Sequence, residues 1–552
     1  MKQLIHRIFF ITAWSFISVI THATHAPRLT VILVIDQLPY HIVEQLRPNL
    51  SGGLKYLLRH GINYSHAYMP HALPATATGH AALNTGTFAK DHGIVANAWY
   101  DAQGNKIAAD DDFSENAYVF DSEKKQGKSA KNLMVDGISD TITMYPTPGG
   151  MNKVIALSLK SRAAIMCAGH LGKAVWFDEE RGVFTSSKAF YHELPSWLTC
   201  FNASHQTPQS VTWYPMHCIT SRFYDCRLCG YEAQCPSNAS ALFNTSIPSH
   251  TTQNGITSYK NFMKTPHGTQ MLLDAAYACI EQELPCEKED HLVVWVSISS
   301  TDFIGHEYGT QSPEYIDLLY HIDCQLKKFM RQVTRLIKSS DILWVLTSDH
   351  GSAPVPETLR QEGYHKAHRI DLKNLQKTIN ETIANDYQIT DAITIIDSPN
   401  VYLNTAKLHT LESKKNSTAH DTICSKLLEI AGIKRAWRAQ ELKATTFEPY
   451  TLEYYFQQQL YPGRSGDIIF QVDPYCMVSK YKGGTTHESP YNYDTHVPLV
   501  IYQKGEFEQK IINETVLTLQ FAPTLAHILR VPKPSACTFS FLPGSIPHEI
   551  FS

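Results

Sequence analysis

The chain has 552 residues, 43% of them hydrophobic and 18% charged, with a formal net charge of −4. That is ordinary globular composition and enough chain for a large core. Without a basic excess, nothing argues for a nucleic-acid-binding surface, and no nucleic-acid binding is expected.

The N-terminus reads MKQLIHRIFFITAWSFISVITHATHAP. Lys2 and Arg7 make a basic start, IFFITAWSFISVI an apolar core, and THATHA supplies small residues for cleavage. This predicts a secretory signal peptide over 1–23, cut after Ala23 rather than Ala26, which Pro27 would follow. The alternative is an uncleaved anchor. No later segment reaches the ~20 apolar residues of a transmembrane helix, so the mature chain is expected in the periplasm or secreted, with no membrane anchor. Next come the strand-like run RLTVILVID (28–36), a helix–turn–helix pattern in YHIVEQLRPNLSGGLKYLLRHG, and a helix start near HALPATATGH (71–80). KVIALSLK (153–160) reads as a second buried strand, followed by a helix with Ser161 as its cap. HLVVWVSISSTD (291–302), DILWVLTSDHG (341–351) and HVPLVIYQKG (496–505) complete five strands. A long amphipathic helix follows Ser312, and TLQFAPTLAHILR closes the chain. Strands alternating with helices predict an α/β fold with a parallel sheet.

Residues 24–552 are expected to form one catalytic domain with two departures from this rhythm. One is a Cys-rich insertion over about 195–265, the other a less regular lobe over about 355–480. Of 12 cysteines, five fall between Cys200 and Cys235 (Cys200, Cys218, Cys226, Cys229, Cys235). In an exported chain that cluster predicts disulfides. A zinc ribbon would need a second Cys-x-x-Cys pair beside Cys226/Cys229. Cys279 and Cys286 flank a short segment and are expected to be able to close a second loop.

Acids and histidines recur at the carboxyl ends of the strands, where ligands bind in open α/β sheets. Asp36 ends the first; Asp302, with His306 four residues on, follows the third; Asp349 and His350 follow the fourth; His487 precedes the fifth. Each alone has a structural reading, as a helix cap, a surface pair or a turn. Together, carboxylate oxygen and imidazole nitrogen suit Zn²⁺. Two such ions ~4 Å apart clamp the attacking and leaving oxygens of a phosphoryl transfer.

Asp36, TATGH, STDFIGHEYG, TSDHG and GTTHESPY, in this order between residue 28 and about 530, resemble the alkaline phosphatase superfamily. More narrowly, they resemble its phosphate-irrepressible (PafA-type) alkaline phosphatases, which use a threonine nucleophile and are related to nucleotide pyrophosphatases/phosphodiesterases. The resemblance implies a three-layer αβα sandwich with a mainly parallel central sheet and surface insertions. It implies two Zn²⁺: one held by Asp302, His306 and His487, the other by Asp36, Asp349 and His350, with Thr76 as further ligand and nucleophile. Thr76 is preferred to Thr78 because the superfamily nucleophile lies four residues before the histidine, here His80. His487 is preferred to His496 because it follows GGTT. Glu488 departs from the pattern, since relatives often have glycine there. Asn97, Lys160 and Arg162 match the family's phosphoryl contacts. Lys160 and Arg162, two apart after a strand, are expected to point the same way. Lys supplies a point charge and Arg a planar fork for the extra charged oxygen of a monoester.

The expected function is therefore a secreted zinc-dependent phosphomonoesterase acting on small-molecule phosphate monoesters through a phosphothreonine. The alternatives are a phosphodiesterase or nucleotide pyrophosphatase on the same fold, and a catalytically inactive surface-binding relative.

Overall fold

Leu29, Val31, Leu33 and Ile35 pack into one hydrophobic cluster, while Ile32 and Val34 pack into another. That alternation is the period-2 signature of a strand buried on both faces. The strand is β1 (Leu29–Ile35), near the middle of a ten-stranded sheet. In chain order the others are β2 (Ile62–Tyr68), β3 (Lys153–Ser158), β4 (Lys173–Asp178), β5 (Val183–Thr185), β6 (Leu292–Ile298), β7 (Ile342–Thr347), β8 (His496–Val497), β9 (Leu499–Gln503) and β10 (Lys510–Leu517). Their spatial order is β8-β2-β9-β7-β1-β6-β3-β4-β5, with β10 on β2. This computed structural model describes residues 26–545 apart from 123–125, 148, 220, 225–241, 254, 288, 480–482 and 508. The expected signal peptide and Cys226, Cys229 and Cys235 lie outside the described residues.

β7, β1, β6, β3 and β4 are mutually parallel, so their carboxyl ends share one edge. Helices cover both faces. On one side lie α3 (Pro266–Glu283) and α5 (Pro313–Leu336); on the other lie α1 (Thr76–Thr85) and α2 (Ser161–Ala168). This is the mainly parallel αβα architecture that the alternating elements and the resemblance imply. α4 (Ser300–Tyr308) leaves the end of β6 and carries Asp302 in its first turn.

Two sequence expectations need correction. The run 496–505 is not one parallel strand. Pro498 splits it, His496–Val497 pair with β2, and β9 runs antiparallel to β7. The reason is directional: the chain arrives at the carboxyl edge after His487 and must cross the sheet backwards. Cys279 and Cys286 are not bonded to each other. Cys279 is buried in the core on α3, whereas Cys286 is exposed.

Residues from about 370 to 478 build a four-stranded sheet (Ile393–Asp397, Asn400–Leu403, Ile468–Val472, Ile433–Arg438) over a hydrophobic cluster of their own. Among the described residues no helix is long and apolar enough to cross a membrane.

Candidate active site

Four adjacent parallel strands deliver the site. Asp36 follows β1, Lys160 follows β3, Asp302 stands in the helix after β6, and Asp349 and His350 follow β7. His487 comes from the loop before β8, and Thr76 is the first residue of α1. The result is a buried cluster: Asp36, Asp349 and His350 are fully buried, and Thr76, Asp302, Lys160 and His487 nearly so.

The histidines are oriented from behind. Nδ1 of His306 lies 2.9 Å from the Thr485 carbonyl, that of His350 2.9 Å from Gly351 O, and that of His487 2.7 Å from Pro74 O. A carbonyl only accepts, so each Nδ1 carries a proton, and in a neutral ring Nε2 then presents the lone pair. Those Nε2 atoms face carboxylates. His306 and His487 are 3.2 and 3.8 Å from Asp302 Oδ1. His350 is 3.5 Å from Asp36 Oδ1 and 3.6 Å from Asp349 Oδ2.

Ligand atoms gather in two groups, Asp36/Asp349/His350 and Asp302/His350/His487, each within 4.8 Å. His350 belongs to both, and His306 joins at the rim through Asp302. Asp36 Oδ1, Asp302 Oδ1, Asp349 Oδ2 and His350 Nε2 are buried without a hydrogen-bond partner. Four unsatisfied acceptors converging on one point are costly unless cations fill it. The donor set therefore fits metal ions.

The electrostatics agree. Burial, and then the charges of Asp302 and Asp349, push the Asp36 carboxyl well above the usual carboxylate range. At Asp302 burial acts the same way, but the charges of His306 and Lys160 outweigh it and hold that carboxyl well below the range. Burial, then the neighbouring His350 and His306, lowers His487 well below an ordinary histidine. Asp302 and His487 are thus held in the ionised and neutral forms a divalent cation requires, whereas Asp36 is pushed the other way by the burial and like charges that a bound cation would offset.

Lys160 lies inside the cluster. Its Nζ is 2.6 Å from Asp36 Oδ2, 2.5 Å from Asp302 Oδ2 and 3.3 Å from Thr76 Oγ1. The phenyl ring of Phe303 lies 5.2 Å from the same ammonium. The strand alternation behind the expectation that Lys160 and Arg162 share a direction is absent. The strand ends at Ser158, Lys160 is the N-cap of α2, and Arg162 is already helical, so strand alternation does not apply. Nor does Ser161 cap the helix; its hydroxyl donates to Asp110 Oδ2.

Thr76 is the first residue of α1, and Ala75 is the N-cap without a side-chain cap bond. The hydroxyl is thus free of capping duty and aimed at Lys160, whereas Thr78 Oγ1 is buried without a partner. Asn97 Oδ1 accepts from the Ala77 N–H at 2.9 Å, so this side chain braces the start of the Thr76 helix. His496 stacks between Tyr40 and Tyr68, at 4.4 and 4.7 Å, and hydrogen-bonds Ser65 O, away from the cluster.

Sequence reasoning used His80 only as a spacing marker and overlooked Gly79. His80 Nδ1 lies 2.7 Å from Thr76 O and its Nε2 2.8 Å from Ser297 Oγ, fixing the turn of Thr76 from behind. A Cβ on Gly79 would collide with the Asp349 backbone, so only glycine lets α1 press onto the end of β7. Both stand in TATGH, where a glycine and a histidine one turn into a helix were the available signal.

Glu488, the residue where relatives often have glycine, has φ +101°. That conformation costs a non-glycine residue on the order of 1–3 kcal/mol. Glu488→Gly is expected to stabilise the protein by about 1 kcal/mol or less, since glycine also gives up unfolded-state entropy. Thermal unfolding checks this; a loss above about 1 kcal/mol would mean the side chain's own bonds outweigh the strain.

A family model described as type I phosphodiesterase / nucleotide pyrophosphatase matches residues 30–497. The chain belongs to that family, and with it to the alkaline phosphatase superfamily; it is a phosphoric ester hydrolase. Among curated relatives it is 28% identical to alkaline phosphatase PhoV of Synechococcus elongatus, over 94% of this chain and 92% of the relative. It is 26% identical to alkaline phosphatase PafA of Elizabethkingia meningoseptica, over 93% and 94%. The crystal structure of wild-type PafA superposes with a TM-score of 0.79 at 22% identity, covering 94% of this chain and 98% of the other, which fixes the fold.

Proposed function

We propose that this protein is a secreted phosphomonoesterase that works through a phosphothreonine on Thr76 with two Zn²⁺. The observation that carries the reading is the gathering of Asp36, Asp302, Asp349, His350 and His487 in two overlapping groups, to which Lys160 Nζ links the hydroxyl at the start of α1. Asp36, Asp349 and His350 would hold one ion; Asp302, His306 and His487 would hold the other. When bound, the ions supply Lewis acidity that favours the threonine alkoxide and offsets charge at phosphorus.

The chain's own residues do the rest. Thr76 Oγ forms the bond to phosphorus as the ester P–O bond breaks, and the alcohol leaves with a proton. Water then displaces Thr76 and phosphate departs. The N-terminus of α1 places partial positive charge below the phosphoryl group. Asn97 and His80 hold Thr76's turn in place, and Lys160 and Arg162 supply positive charge for the non-bridging oxygens. Curated relatives named alkaline phosphatases, matched over most of their length, support monoesters. The diester reading draws on Lys160, whose ammonium is engaged by Asp36 and Asp302. Rates on a p-nitrophenyl monoester and the corresponding bis diester separate the two.

Asp349→Ala and His487→Ala are each expected to lose one zinc equivalent and most activity, with partial rescue by added zinc. Elemental analysis checks this; full zinc and full turnover in either variant would remove that residue from the site. Export also entails oxidation of the Cys200–Cys235 segment. Unreduced peptides spanning 195–240 should contain disulfides by mass spectrometry, and five free thiols there would contradict secretion.

A further inference from the structure

A short antiparallel hairpin, Ala98–Tyr100 with Lys106–Ala108, is tied through its flanking residues to the starts of α1 and α2. At one end Asn97 accepts from the Ala77 N–H, next to Thr76. At the other end Asp110 accepts from the Ser161 hydroxyl at 2.5 Å. The ends are tied together by the Ala109 N–H, which donates to Asn97 O at 3.0 Å.

Asp110 is 2% exposed. Its other oxygen takes Lys128 Nζ at 2.9 Å, and Lys128 also reaches Asp111 Oδ1 at 2.9 Å. Asp111 in turn accepts from the Ala108 N–H, and the Ser129 N–H donates to Asp110 O. A buried carboxylate held from both sides has few ways to move. Ser161 and Arg162 are the first two residues of α2, so fixing Ser161 fixes the origin of the Arg162 side chain. Arg162 Nε is buried and lacks a partner among the described residues. The Arg162 charge is also close enough to help hold the Asp110 carboxyl down, together with Lys128.

We propose that Asp110, clamped by Lys128, is a positioning residue that aims Arg162 at the substrate's charged phosphoryl oxygen through Ser161, while the same hairpin sets Asn97. One rigid element thereby fixes the start of α1, through Asn97, relative to Arg162 on α2. The proposal rests on the reading of Arg162 as a contact to a monoester. The competing idea is a staple that merely holds the hairpin to the domain.

The test uses the zinc-loaded full chain and the variants Asp110→Asn, Ser161→Ala, Arg162→Ala, Asp110→Asn/Arg162→Ala and Ser161→Ala/Arg162→Ala. Each is assayed on p-nitrophenyl phosphate and on the bis diester, with inorganic phosphate as competitive inhibitor. Misplacing a positioned group by about 1 Å can cost on the order of 10²-fold. Asp110→Asn is therefore expected to lower monoester kcat/KM by about 10- to 100-fold, weaken phosphate inhibition in step, and lower diester turnover less than about threefold. Added to Arg162→Ala it should cost less than about a further twofold, because the group it aims is gone. Equal losses on both esters, or the same loss with and without Arg162, would overturn the proposal. If Asp110→Asn does not fold, Ser161→Ala, which leaves the Asp110–Lys128 pair intact, is read by the same two criteria. An unchanged monoester/diester ratio in Arg162→Ala alone would instead sink the reading of Arg162, and this inference with it.

Discussion

Thr76→Ala is expected to abolish covalent phosphorylation and to lower monoester turnover on the order of 10³-fold or more, as loss of a nucleophile does. The fold should survive. Thr76 is the first helical residue of α1, its hydroxyl makes no cap bond, and alanine suits a helix better than threonine. Zinc should also remain, because every carboxylate and imidazole of the cluster is still present. Thr78→Ala is the control. Its hydroxyl is buried without a partner, so the substitution removes an unsatisfied group and should leave turnover near wild type. Quench-flow trapping of phosphoenzyme and circular dichroism on both variants decide the matter. Near wild-type turnover in Thr76→Ala with loss in Thr78→Ala would move the nucleophile.

The Lys160→Ala/Arg162→Ala double variant is expected to lose about two to four decades of monoester turnover and less of diester turnover. A charge-assisted hydrogen bond is worth roughly 1.5–3 kcal/mol, and each ~1.4 kcal/mol is tenfold in rate. Neighbouring contacts rarely add fully, so the lower end is the firmer expectation. Diesters lack the charged oxygen and should be spared in part. Lys160 carries a second consequence. It is the ammonium among three buried carboxylates, paired with Asp36 and Asp302. Breaking a buried pair by removing one partner costs roughly 3–5 kcal/mol. Lys160→Ala should therefore destabilise the metal-free protein far more than the zinc-loaded protein, where ions offset the same charges. Arg162→Ala should not show that difference. Equal losses on monoester and diester in the double variant would mean that the pair supports the site in general and does not select monoesters.

The parallel core was legible because its strands are buried on both faces and read as unbroken apolar runs, as RLTVILVID and HLVVWVSI do. β2, with INYSHAY, and β10, with KIINETVL, were not, because their sequences carry neither a continuous run nor a clean alternation. The metal-type ligands were legible because each stands at the carboxyl end of such a run or shortly before β9. Their mutual distances were not, nor was the sharing of His350 between the two groups, which depends on side-chain packing. The strand alternation invoked for Lys160 and Arg162 fails for a local reason: the strand stops two residues earlier than KVIALSLK suggests, and the helix begins at Ser161. Asp110 was invisible in sequence, being one acid in a run of three whose partners lie 18 and 51 positions away.

The central claim is most directly tested by kcat/KM of the purified, zinc-loaded protein on p-nitrophenyl phosphate against bis-p-nitrophenyl phosphate. A site built around the charged oxygen of a monoester predicts a preference of at least about tenfold for the monoester, the worth of one such contact. An equal or greater rate on the diester would contradict it and make the protein a phosphodiesterase on the same fold.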